Sequence, residues 1–114
     1  QSPGRAKARL LMNPGVYAIL NVVNGQRYVG SSAYIDERME NHFHMLELGK
    51  HHNYLLQRAY DSCGDVWAFI ILEQCSRPLL AVTEQKWINR FNKLNRLFNI
   101  DMTVDRSHIK NDNK

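Results

Sequence analysis

The most constraining stretch of this chain is Gly15-Val16-Tyr17 … Tyr28-Val29-Gly30, two short runs of strand-forming residues on either side of Asn24-Gly25. Asn-Gly between such runs is the strongest local hairpin signal, because the tight turn needs φ > 0 and both residues tolerate it. The pattern predicts one strand from Gly15 to Val23 and an antiparallel second from Gln26 to Gly30. Tyr17 and Tyr28 then stand close together on adjacent strands. Apolar residues fall on both faces of the first strand (Val16, Ala18, Ile19, Leu20), which marks it as central in its sheet.

The remaining elements follow from periodicity. Ile35, Met39, Phe43 and Leu46 form one apolar stripe, predicting a helix that starts near Tyr34 to Asp36 and runs to Leu48, with Gly49 as its stop. Lys50-His51-His52-Asn53 reads as a polar turn, and Tyr54 to Cys63 as a second helix ended by Gly64. Val66 to Leu72 is β-branched and aromatic and predicts a buried third strand. Pro78 suits the first turn of a third helix, about Leu79 to Phe91. Leu94 to Asp101 is expected to return as a short strand or coil. The order β-β-α-α-β-α describes an α+β domain, a small and mainly antiparallel three-stranded sheet flanked by helices. Residues 1–13 are expected to form a flexible basic arm, 14–101 the domain, and 102–114 a polar tail or linker stub.

At 114 residues the chain builds one core. It has no run of eighteen apolar residues, so no membrane span is expected, and no apolar leader at its start. A net charge of +4 leans towards polyanions but fits a soluble basic protein as well. Cys63 and Cys75 make neither a disulfide framework nor a zinc spacing, and read as reduced core or near-core thiols of an intracellular protein. Trp67, Phe69, Trp87 and Phe91 are assigned to the core rather than to stacking on bases.

Several side chains could carry chemistry. Arg38 and His42 lie four apart on the first helix and share a face. Glu84 lies on the third helix beside Trp87 and Ile88, close to the core, where a carboxylate is costly without a partner. There is no Ser-His-Asp arrangement, no glycosidase-type pair of acids, no P-loop and no G-x-G-x-x-G. Two phenols, a guanidinium, an imidazole or two and one carboxylate suit phosphodiester chemistry with a single divalent metal. The carboxylate can hold Mg²⁺ or Mn²⁺ while water and phosphate oxygen fill the other positions. Arg38 can clamp a phosphate oxygen. A tyrosine or histidine can take a proton from water if nearby cations lower its pKa.

At this point the chain resembles the GIY-YIG nuclease family, with Val in place of Ile in both triplets. Arg38 falls ten residues after the second tyrosine, His42 and His51 four and thirteen after the arginine, Glu84 in a helix after the third strand, and Asn99 within Phe98-Asn99-Ile100. Through Tyr28-Val29-Gly30-Ser31 and His42-Phe43 it resembles most closely the nuclease domain of phage intron homing endonucleases. The resemblance implies a metal-dependent endonuclease that hydrolyses DNA with an activated water and one Mg²⁺ or Mn²⁺. Tyr17 would be the general base or the group that orients the water, with His42 as its proton relay or hydrogen-bond partner. Tyr28 would line the site, Arg38 bind the phosphate and Glu84 ligate the metal. Gly30 would support them by letting backbone approach the helix or the phosphate closely, and His51 and Asn99 would be further supporting residues. The DNA could be structured or single-stranded, the setting a bacterial cytoplasm or a phage-infected cell, and the oligomeric state is open. The alternative is a nucleic-acid-binding module of the same fold without cleavage. The tail after Thr103 is too short for a separate DNA-binding domain, so this chain by itself is expected to bind mainly through phosphates, with steep salt dependence.

Overall fold

A computed structural model describes residues 11–99, so the flexibility expected of residues 1–10, the polar tail and the end of the 94–101 segment lie outside the described residues. Strands β1 (Gly15–Asn21), β2 (Arg27–Ser32) and β3 (Trp67–Gln74) form one antiparallel sheet in the order β2-β1-β3. Helices α1 (Ile35–Leu48), α2 (Tyr54–Cys63) and α3 (Leu80–Asn92) pack on it. The α+β class and the central place of β1 are as predicted.

The hairpin differs in its turn. β1 stops at Asn21 rather than Val23, and the loop closes through Asn21 N–H to Gln26 O at 2.9 Å. Asn21 Oδ1 accepts the amides of Val23 at 2.9 Å and Asn24 at 3.3 Å. That side chain competes with the ladder for backbone donors and peels Val22 and Val23 out to solvent. Gly25 has φ 79°, but Asn24 does not share the positive φ that a two-residue type I′ turn demands.

Side-chain alternation divides the core in two. Ile19 and Tyr28 on one face pack with Leu46 of α1, Leu56 of α2 and Phe98, joined by Phe43, Trp67 and Phe69. Val16 and Val29 on the other face pack with Ile88 and Phe91 of α3, joined by Trp87. The sheet is thus sandwiched between α1 and α2 above and α3 below. Fully buried Ile19, Leu46 and Leu56 each contribute about 1.5–3 kcal/mol by leaving water.

β3 is a half-exposed edge strand, not the buried strand its composition predicted, since β1 alone is flanked on both sides. Ile71 on it is exposed. Cys63 ends α2 on the solvent side, so its core placement is corrected, while Cys75 is half-buried and both are free thiols. α1 closes at Gly49, whose φ of 74° only glycine adopts without strain. A 3₁₀ turn (Arg77–Leu79) with Pro78 precedes α3. The segment after α3 runs beside β2: the Arg27 amide donates to Arg96 O and the Phe98 amide to Arg27 O, each at 2.8 Å.

Candidate active site

The register of the hairpin sets the two phenols two rungs apart on one face, with Tyr17 opposite Gly30 and Tyr28 opposite Ile19. The Tyr17 ring lies flat on Phe69, centroids 4.9 Å apart, and reaches across Gly30. A Cβ on Gly30 would stand 2.5 Å from Tyr17 Oη and 2.7 Å from its Cζ. Gly30 therefore makes room for the Tyr17 phenol, and the expectation that it admits backbone is corrected. Gly30→Ala is expected to displace that ring, lower stability by about 1–3 kcal/mol through overpacking, and slow cleavage about 10²-fold through misplacement. Urea unfolding and single-turnover assays check both; cleavage unchanged in a fully folded variant would sink the assignment.

Tyr17 is buried and its Oη is 2.6 Å from Nε2 of His42, also buried. His42 Nδ1 is 2.8 Å from Nε2 of His51, and the two imidazoles stack with centroids 5.0 Å apart. Tyr28 Oη lies 3.2 Å from Nε2 of the exposed His52. His51, whose role in the sequence was as consistent with loop surface as with the site, is thus an inner member of the cluster.

Asn99 meets β2 edge-on. Its Oδ1 accepts the Val29 amide and its Nδ2 donates to Val29 O, both at 2.9 Å. One carboxamide so replaces the next strand and seals the backbone beside Gly30. Asn99 reaches the chemistry only through that backbone.

Ser31 points to the opposite face from Tyr17, towards α3, and donates to Glu84 Oε1 at 2.5 Å. Glu84 is buried. The carboxylate and the phenols thus approach from opposite faces of the sheet, around β2. Arg38 on α1 is half-buried. Its charge and that of Glu84 both act on both phenols. Hydrogen bonds join Tyr17, His42 and His51 in one cluster, while Glu84 is tied to Ser31 and Asn99 to the backbone of β2.

Burial governs the electrostatics. It holds Tyr17 well above the usual phenol range, with Tyr28 adding to the rise and Arg38 opposing it. Tyr28 is raised for the same first reason. For both phenols desolvation outweighs the opposing charge of Arg38. Burial also pushes His51 down to about 4, assisted by the neighbouring His52. A base whose folded pKa is depressed adds stability that is present above about 6.5 and lost as pH falls towards 4. An NMR titration is expected to keep the His51 ring neutral at pH 5.5, and a midpoint above 6 would contradict its buried environment.

Glu84 is raised to about 7, chiefly by burial, with the Ser31 hydrogen bond opposing. The donors here are oxygen, a carboxylate beside a hydroxyl. That set fits Mg²⁺ or Mn²⁺, which accept one carboxylate and fill the other positions with water and phosphate oxygen. A buried carboxylate that is hard to ionise also gains most from a nearby cation.

Sequence reasoning gave no site role to Ser31, His52 or Asn53, and assigned Phe69 to the core alone. Strand alternation puts Ser31 on the face opposite Tyr17, but which helix lies beneath it is not a local property. For Asn53, its place ahead of α2 was a usable N-cap signal; its side chain accepts the Leu56 amide at 2.9 Å.

Comparison with known proteins agrees with this fold. The GIY-YIG catalytic domain family matches residues 13–99. The chain is 35% identical over 91 residues to intron-associated endonuclease 1 of Enterobacteria phage T4, covering 78% of this chain and 37% of that protein's length. It superimposes on the catalytic domain of homing endonuclease I-TevI with a TM-score of 0.71 and 33% identity, covering 77% of this chain and 98% of that one. A glutamate-to-alanine variant of that domain gives 0.72 at 33% identity, covering 81% and 97%.

Proposed function

As the chain belongs to the GIY-YIG endonuclease family, we propose that it hydrolyses DNA phosphodiester bonds with an activated water and one divalent ion at the Tyr17–His42–Glu84 region. The observation that carries this reading is Glu84, a buried carboxylate raised to about 7 whose charge acts on both buried phenols. A purely structural position would favour an uncharged side chain there.

Water adds to phosphorus as one P–O ester bond breaks. Arg38 binds a non-bridging oxygen and offsets the charge that grows in the transition state. Tyr17, held by His42, orients the attacking water and accepts its proton when in the phenolate form. Tyr28 donates a hydrogen bond beside the scissile phosphate. Glu84, steadied by Ser31, would hold Mg²⁺ or Mn²⁺. When bound, that ion supplies positive charge to the phosphate and to the leaving oxygen. Gly30 leaves the space that the Tyr17 phenol occupies, and Asn99 holds the β2 backbone beside it.

The chain spans 37% of the length of the curated relative it matches, so target sequence, DNA form and action inside a host cell are part of the proposal. Among the described residues no helix is long and apolar enough to cross a membrane.

Supercoiled plasmid and single-stranded DNA, each with Mg²⁺, Mn²⁺ or EDTA, test the reading. Cleavage is expected with either metal and not with EDTA, and Arg38→Ala is expected to slow it about 10²–10³-fold. Cleavage that survives EDTA and Arg38→Ala unchanged would overturn it.

A further inference from the structure

A hydrogen-bond chain runs inward from Tyr17 and ends on a main-chain amide. Tyr17 Oη meets His42 Nε2 at 2.6 Å, His42 Nδ1 meets His51 Nε2 at 2.8 Å, and the Asn53 N–H donates to His51 Nδ1 at 3.0 Å. Only the last bond has a direction set by its chemistry, because a peptide N–H donates and never accepts. His51 Nδ1 therefore carries no proton. A neutral imidazole has a single N–H, so that of His51 is on Nε2 and donates to His42 Nδ1. His42 in turn carries its proton on Nε2, facing the Tyr17 oxygen.

We propose that the Asn53 amide, acting through His51, makes His42 a hydrogen-bond donor to Tyr17, which closes the histidine side to the Tyr17 proton. His51 and Asn53 are positioning residues for Tyr17, an inference that rests on the proposed role of Tyr17 at the attacking water. The phenol gives its proton to water rather than to His42. The phenolate left behind is held by the His42 N–H and then takes one proton from the water as it attacks. His42 and His51 begin and end each turnover as the same tautomers.

The surrounding bonds keep the amide in place. Asn53 is buried, caps α2 through Leu56, and donates from Nδ2 to Phe98 O at 3.0 Å. The His51 amide donates to Gln57 Oε1 at 2.9 Å, and its ring lies nearly parallel to those of His42 and His52, with centroids 5.0 and 4.5 Å away. The opposite direction, with Tyr17 donating into His42, needs a proton on His42 Nδ1. His51 Nε2 would then be bare and its Nδ1 protonated, hydrogen against hydrogen at the Asn53 amide. A doubly protonated His42 meets the same conflict one step earlier, at Nδ1. In a buried site each such clash leaves donors without acceptors.

Two-bond ¹H–¹⁵N correlation of the imidazoles in the full chain at pH 7.5 tests this. Both His42 and His51 are expected as Nε2–H tautomers; His42 as Nδ1–H overturns the proposal. His51→Gln still offers His42 an N–H, and is expected to keep the His42 signature and lose less than about tenfold in cleavage. His51→Glu offers only acceptors, and is expected to flip His42 to Nδ1–H and to slow cleavage about 10²-fold. Equal losses in both variants with the His42 tautomer unchanged would indicate a structural role alone and sink the idea. Absence of cleavage in the wild-type chain would instead refute the endonuclease reading, and the imidazole spectra would still decide this one.

Discussion

Glu84→Gln is expected to abolish cleavage, by about 10³-fold or more, while making the protein harder to unfold above pH 7. The carboxyl of Glu84 is raised from 4.5 to about 7, first by burial. An acid whose folded pKa is raised favours its neutral form in the folded state. That stability is complete below about 4.5 and is lost as pH rises through about 7. Ionising Glu84 above that pH therefore costs the metal-free fold about 3 kcal/mol. Glutamine has nearly the same shape, carries no charge, and keeps an oxygen for the Ser31 hydroxyl. Urea unfolding in EDTA should show near parity of the two proteins at pH 5 and a gain of about 2–3 kcal/mol for the variant at pH 8.5. Mg²⁺ should raise the wild-type Tm at pH 8.5 and leave that of the variant unmoved. A variant less stable than wild type at pH 8.5, or one that still cleaves, would show that Glu84 is a structural acid and not one kept for function.

Tyr17→Phe is expected to slow cleavage about 10²–10⁴-fold and, unlike the glutamate variant, to weaken the fold. The ring keeps its stack on Phe69. The loss is the 2.6 Å bond to His42, which leaves a buried imidazole nitrogen without its partner at a cost of about 1–3 kcal/mol. Tyr28→Phe is the control. Its hydroxyl meets His52, which is exposed and regains water when the bond is lost, so stability should move by less than about 0.5 kcal/mol. Both variants should cut poorly, yet only Tyr17→Phe should shift the urea midpoint clearly. Equal midpoints would contradict the buried Tyr17–His42 bond.

Much of the architecture was legible in local pattern. The apolar positions of β1 and α1, Gly49 after its helix and Asn24-Gly25 between strands all act over a few residues, and the elements formed close to where those signals put them. The errors were also local in cause. The Asn21 side chain captured the turn amides and ended β1 early. β3 carries residues suited to burial but lies at an edge, because strand order depends on packing and not on composition.

The sequence by itself determined which side chains this protein has for chemistry and how they space along its elements: Tyr17, Tyr28, Arg38, His42, His51, Glu84 and Asn99, in the order of a GIY-YIG domain. Only the tertiary structure decided how they meet. Ser31 and Glu84 are 53 residues apart, and Val29 and Asn99 are 70 apart. No period or turn rule reaches that far, since such pairs depend on how α3 and the following segment pack against β2. Burial likewise belongs to the whole fold. It raises both phenols against the pull of Arg38, brings Glu84 to about 7, and turns Gly30 into the space that Tyr17 fills.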